Sequence, residues 1–264
     1  MKAYLLLLLL LSGCAPYVQS PPGRMLAFET AKSLEKGQTG IRVGGGGGIG
    51  SEIGFAGGFV RVRHGVAKNL DFRVDLTALS LNEDEDEILG TNALATAGAG
   101  IKYAFNPYFA VAVDLTGGYW TGGGFLSPEL RFIAAYENRY FVPFIDLGYF
   151  SSHPLSPNDV EFRSVSGSSD DTVEIELLGP PVFTQGWTTG FGFRIPTSSF
   201  HCCRLASAII FGTRFTGTYF DDEFEPELGR DREVYWSGSV AFELIIPGTR
   251  RKSSQKRHAR ASLR

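Results

Sequence analysis

The chain has 264 residues, among them 33 Gly, 21 Phe and 10 Tyr, and its 25 Lys and Arg nearly balance 28 Asp and Glu for a net charge of −3. Only 20% of residues are charged, which argues against generic disorder, and the Gly residues follow no three-residue period, which excludes collagen. The near-neutral total gives no sign of a nucleic-acid partner, and it hides an uneven distribution. Lys2 is the one charge of residues 1–13, seven Lys and Arg crowd the stretch from Arg250, and residues 14–249 carry 17 basic against 28 acidic groups.

The chain opens Met1-Lys2-Ala3-Tyr4, followed by seven Leu and then Ser12 and Gly13. One positive charge, a short apolar run and small residues make an export signal, and the Leu run is too short to span a bilayer as a helix. Leu11-Ser12-Gly13-Cys14 resembles the lipobox of bacterial lipoprotein signals. The resemblance implies that residues 1–13 are removed and that Cys14, acylated with groups such as palmitate, becomes the new N-terminus. Ala15 in place of Asp after that Cys implies sorting to the outer membrane. Several acyl chains at about 0.8 kcal/mol per buried methylene make such an anchor effectively permanent. Residues 14–37 contain Pro16, Pro21 and Pro22, a linker composition, and Ala27–Lys36 is expected to form one short helix tying the anchor to the strand-forming part of the chain.

No later stretch reaches eighteen consecutive apolar residues. Instead the chain alternates. Leu70, Phe72, Val74, Leu76 and Ala78 are apolar between polar Asp71, Arg73, Asp75 and Thr77, a period of two. The same pattern recurs through 93–105, 109–119, 130–136, 187–195, 209–219 and 236–244; with Ile41–Gly48, Phe55–Arg63 and Phe141–Tyr149 it makes ten strands. The connections 64–69, 105–108, 137–140 and 196–204 are short, and those at 81–88, 151–181 and 221–232 are longer and polar, with 49–52 and 121–124 as short exceptions.

Short turns alternating with longer loops between strands of this length resemble transmembrane barrels of the bacterial outer membrane. The expected fold is therefore an all-β, antiparallel up-and-down transmembrane β-barrel of about ten strands, with eight to twelve as the range, over residues 38–248. Aromatic residues on the apolar face support it: Tyr119, Tyr149, Tyr219 and Trp236 lie toward the longer loops, and Tyr103, Phe105, Phe109, Tyr136, Phe141 and Phe193 toward the short turns. Two girdles around an apolar band are what amphipathic rings at two lipid interfaces produce. Both termini are then expected in the periplasm, with the long loops outward. Residues 249–264 form a basic tail suited to anionic headgroups or wall polymers. Outer-membrane barrels often end in an aromatic residue; this chain does not, and Phe242 is the nearest substitute.

By parity, Asp71, Arg73, Asp75, Lys102, Asp114, Glu129, Arg131, Asp146, Arg194, Arg214 and Glu243 point into the lumen. In a narrow barrel opposite charges must pair, because an unpaired buried charge is prohibitively costly. A salt-bridge network filling the interior is the leading expectation; a charged constriction for a small solute and carboxylates paired for acid or base chemistry are the alternatives. The acidic runs Glu83–Glu87, Asp170–Asp171 and Asp221–Glu227 fall on the longer loops, where hard oxygen ligands suit Ca²⁺. Glu83–Glu87 lacks the Asp-x-Asp-x-Asp-Gly spacing, so solvated loops, and neither metal nor cofactor, are expected.

The four His residues, His64, His153, His201 and His258, show no metal spacing. Outer-membrane barrel enzymes such as omptin-like proteases and lipid A deacylases set acidic residues or Ser beside a His, and His153 follows Ser151 and Ser152. No third partner is identifiable, so no catalytic residues are assigned. Gly44–Gly50 satisfies G-x-G-x-x-G without a following helix, and small residues in a first strand account for it better. Cys202 and Cys203 are adjacent, fit no zinc motif, and in an oxidising periplasm leave a vicinal or intermolecular disulfide open. The functional expectation is an outer-membrane lipoprotein barrel with a structural, adhesive or envelope-assembly role, meeting membrane lipid and envelope proteins. The alternatives are a narrow pore, a soluble lipid-binding lipoprotein barrel and an outer-membrane hydrolase.

Overall fold

The computed structural model describes residues 20–50, 54–82, 92–158, 161–165, 173–177, 181–200, 205–220 and 231–248. Twelve strands follow in chain order: β1 (Thr39–Ile49), β2 (Gly54–Ala67), β3 (Leu70–Asn82), β4 (Asn92–Ala104), β5 (Phe109–Trp120), β6 (Gly123–Ala135), β7 (Val142–Pro157), β8 (Glu161–Val165), β9 (Val173–Leu177), β10 (Thr184–Phe200), β11 (Leu205–Phe220) and β12 (Asp231–Ile246). Ten of them close into an antiparallel barrel in the order β1-β12-β11-β10-β7-β6-β5-β4-β3-β2. Every strand pairs with its neighbour in sequence, except that β7 meets β10 across the β8–β9 hairpin. The barrel closes where Thr39 pairs with Ile246 and Ile49 with Trp236. The ten strands stand where the alternation puts them, and the hairpin occupies part of the 151–181 loop.

Twelve residues, the length of β5, rise about 40 Å at ~3.3 Å each, and the roughly 45° tilt of such barrels brings that to about 28 Å of bilayer. One face of each strand is apolar and outward. Val113 and Phe132 are each 57% exposed and Leu76 56%, values a water-soluble protein avoids over a continuous band. The outward rings gather at the two rims. Tyr103 meets Phe105 edge-on at 5.3 Å, and Phe193 lies 5.2 Å from both Phe141 and Phe211 at the short-turn rim. At the long-loop rim the Trp187 indole donates to Tyr219 Oη at 2.9 Å, and Tyr149 Oη donates to Gln185 at 2.6 Å. The chain is a transmembrane β-barrel. The tight β2–β3 turn uses Asn69 at φ +66°, a conformation Asn tolerates better than most residues.

The inside departs from the sequence reading. Residues 20–37, whose Pro content predicts a linker leading to the barrel, run through the lumen instead. Ser20 lies at the long-loop end: its N–H donates to Val182 O at 3.3 Å and Thr184 Oγ1 at 3.1 Å, and its hydroxyl is 2.7 Å from that of Ser152. The segment then descends to the short-turn end, where Gly37 N donates to Gly65 O at 2.7 Å, and turns directly into β1. Ile246 ends β12 at the short-turn end, whereas Ser20, the first described residue, lies at the long-loop end.

The helix expected over Ala27–Lys36 does not form; the segment is extended or irregular throughout. Its carbonyls are claimed by the wall rather than by its own amides. Arg214 donates to Arg24 O at 2.9 Å and Ala27 O at 3.3 Å, Ser237 to Met25 O at 2.9 Å, Ser239 to Leu26 O at 2.7 Å, and Lys102 to Thr30 O at 3.1 Å and Lys32 O at 2.9 Å. A buried carbonyl must find a donor, and charged donors from the wall outcompete an isolated helical turn of this length. Met25, Leu26, Phe28 and Ala31 are buried in one apolar core with inward wall residues such as Phe59, Leu94, Phe125, Phe144 and Ile210, and Leu34 is buried as well. Phe28 fits because Gly212 faces it: a Cβ there would lie 2.6 Å from the ring.

Candidate functional site in the barrel lumen

The lumen holds the one dense constellation of ionisable groups among the described residues. Its centre is Glu29 of the inner segment, fully buried. The Glu29 carboxylate meets Lys102 Nζ at 3.1 Å, Arg63 at 3.2 Å, Arg61 and Arg131 at 3.5 Å each, and Arg73. Five strand-borne cations surround one acid carried on a strand-free segment. Arg24, the segment's other buried charge, reaches back to the wall at Asp114 (2.7 Å) and Asp75 (3.1 Å).

The wall residues then neutralise one another. Asp114 also receives Arg73 and, at 3.3 Å, Arg131; Asp75 receives Arg61. Glu243 takes Arg63 at 2.6 Å, Arg42 at 2.8 Å and Arg194 at 2.8 Å. Asp146 takes Arg214 at 3.0 Å and Arg131 at 3.2 Å, Asp71 takes Lys102 at 3.3 Å, and Glu129 lies 3.7 Å from Arg131. All eleven residues assigned to the lumen by parity are therefore inside it. Ten of them are buried, and Arg194, with 15% of its side chain exposed, opens toward the short-turn end.

Sequence reasoning missed Arg42, Arg61 and Arg63 on the wall, and Arg24 and Glu29 in the segment. The wall residues had a readable signal: Arg61 and Arg63 alternate with Val60 and Val62, and Arg42 sits between Ile41 and Val43. The segment had none, since an irregular chain has no period. Each of the seven carboxylates of this network lies within 4 Å of at least one cation, Glu129 at the longest distance, 3.7 Å. At the short-turn end a cavity of about 520 Å³ remains, lined among others by Lys32, Arg63, Glu137, Arg194 and Glu243. There burial pushes the Glu137 carboxyl above the usual carboxylate range, against the pull of Lys32 and Arg194.

The remaining candidates do not assemble. His153 Nε2 is 3.2 Å from Ser151 Oγ, but the imidazole is exposed, packs on Phe183 at 4.7 Å, and has no carboxylate orienting it among the described residues. His64 Nδ1 lies 3.0 Å from Thr39 Oγ1. Gly44–Gly48 form the middle of β1, and a strand, not a helix, comes next. Among the described residues no three His, Cys, Asp or Glu are grouped to hold a metal ion. Cys14, Cys202, Cys203, His201, His258, the three acidic runs and the basic tail lie outside the described residues.

No family model matches the chain, and no curated protein matches it. Similar solved structures are bacterial barrels. The β-domain of the Bordetella autotransporter BrkA is 9% identical, over 79% of this chain and 99% of that one, with a TM-score of 0.45. The translocator domain of the autotransporter NalP from Neisseria meningitidis is 11% identical, over 82% and 90%, at 0.44. The outer membrane protein OprG from Pseudomonas aeruginosa is 9% identical, over 83% and 99%, at 0.33.

Proposed function

We propose that the protein is a bacterial outer-membrane β-barrel lipoprotein that conducts no solute and serves the envelope structurally, as a rigid platform for its long-loop end. The observation that carries this reading is the ion-paired segment inside the lumen: Glu29, Arg24 and Phe28 fill at mid-height the space a channel would need. Export by residues 1–13, acylation at Cys14 and long loops turned outward complete the reading. In planar bilayers the purified protein should give no reproducible conductance steps; regular steps would overturn the structural reading in favour of a pore. Incorporation of labelled palmitate should vanish on Cys14→Ala, and persistence of the label would refute the anchor.

One observation favours a second, gated reading. Without Arg24 and Glu29 the named lumen charges of the wall number eight cations against six acids, so a lumen that lost its segment would prefer anions. A soluble lipid-carrying barrel is opposed by the apolar outer band; protein lacking residues 1–14 that stayed monomeric without detergent would support it. No hydrolytic role is proposed for Ser151 and His153, and loss of an esterase activity in Ser151→Ala would contradict that.

A further inference from the structure

Ser20 lies at the long-loop end of the lumen and Gly37 at the short-turn end, so the chain that precedes Ser20 starts from the long-loop rim. Cys14 is six residues away, a reach of at most about 20 Å for a fully extended chain. The hydrocarbon core is about 30 Å thick, and a bare backbone crossing it outside the barrel would leave its peptide groups without partners. The route back through the lumen is occupied by the segment itself.

We infer that the chain N-terminal to Ser20 emerges at the long-loop rim, and that the acyl groups on Cys14 insert into the leaflet on that side. This rests on the proposed reading for acylation and for the outward direction of the loops; the threading itself does not. The protein is then a surface lipoprotein whose anchor and basic tail lie on opposite faces of the membrane. The ligand of the N-terminal segment is the lipid of the outer leaflet beside the rim, where Trp187, Tyr149 and Tyr219 supply an interfacial belt.

The arrangement also orders assembly. An acylated terminus cannot be drawn through a lumen filled by Phe28 and the Glu29 network. The segment must therefore be in place before β1 meets β12 at the Thr39–Ile246 seam.

The test places one epitope with a flexible spacer between Ala15 and Pro16 and a second after Arg264, in separate full-length proteins. Heat-modifiable migration is checked for each, so that a misfolded variant is not scored, and both are probed with an impermeant antibody on intact and lysed cells. Labelling of the N-terminal epitope alone on intact cells is the expected result. Labelling of the C-terminal epitope alone keeps the threading and overturns the outward direction of the loops. Equal behaviour of the two epitopes on intact cells, with both labelled after lysis, overturns the threading. Loss of palmitate labelling with the first pattern intact would remove the anchor and leave the threading standing.

Discussion

At the scale of the residue, Glu29 decides the state of the lumen. Removing one partner of a buried, charge-paired cluster typically costs about 3–5 kcal/mol, because the groups left behind stay buried and unmatched. Glu29→Gln should therefore lower the midpoint of heat-modifiable unfolding, and it should expose the segment. Arg24, only 5% exposed in the native barrel, becomes a trypsin site when the segment loosens. Trypsin should leave the native protein uncut at Arg24 and cut Glu29→Gln; equal resistance of the two would show that Glu29 does not hold the segment. Gly212→Leu attacks the same segment by steric means. Its side chain would occupy the position of the Phe28 ring, at a cost of about 1–3 kcal/mol for an overfilled core, and the same cleavage at Arg24 should appear.

At the scale of the element, two faces of one strand should respond differently to the same change. Leu115 of β5 is outward and half exposed, while Asp114 beside it is ion-paired inside. Leu115→Arg puts a charge into hydrocarbon, with an expected cost of about 2–4 kcal/mol near mid-bilayer. Leu115→Val should change the unfolding midpoint little, and equal midpoints for the Arg and Val variants would contradict a lipid-facing β5. The β8–β9 hairpin, by contrast, hangs outside the barrel, because β7 and β10 pair directly from Val142–Arg194 to Ser152–Thr184. Replacing residues 159–180 by a short Gly-Ser linker should leave heat-modifiability intact; loss of the folded band would show that the hairpin supports the barrel. All ten barrel strands were legible, seven through an explicit two-residue period and β1, β2 and β7 as further segments added to them, and so were eleven of the lumen charges. The inner segment was not legible. Its backbone is satisfied by wall side chains more than two hundred residues away in places, as between Ser239 and Leu26, and such partners leave no local trace. Its Pro residues and its helix-compatible run Ala27–Lys36 read equally well as a linker.

At the scale of the whole molecule, the near-neutral net charge separates into compartments. The named groups of the lumen come to nine cations and seven acids, most of them fully buried. The acidic excess of residues 14–249 therefore resides outside the lumen network, and the acidic runs of the longer loops are its main carriers. The barrel is held by a ladder closed on itself and by a segment threaded through it, and the central claim is that threading. It is tested most directly by a disulfide. The hydroxyls of Ser20 and Ser152 are 2.7 Å apart, close enough for Ser20→Cys and Ser152→Cys to bridge in protein whose Cys14, Cys202 and Cys203 are replaced. Ser207, buried inside the wall near the short-turn end, is the control partner. Oxidation of the folded barrel should cross-link position 20 to 152, seen as a shift on a non-reducing gel, and not to 207. A cross-link to 207, or to neither, would contradict a segment that runs through the lumen from the long-loop rim.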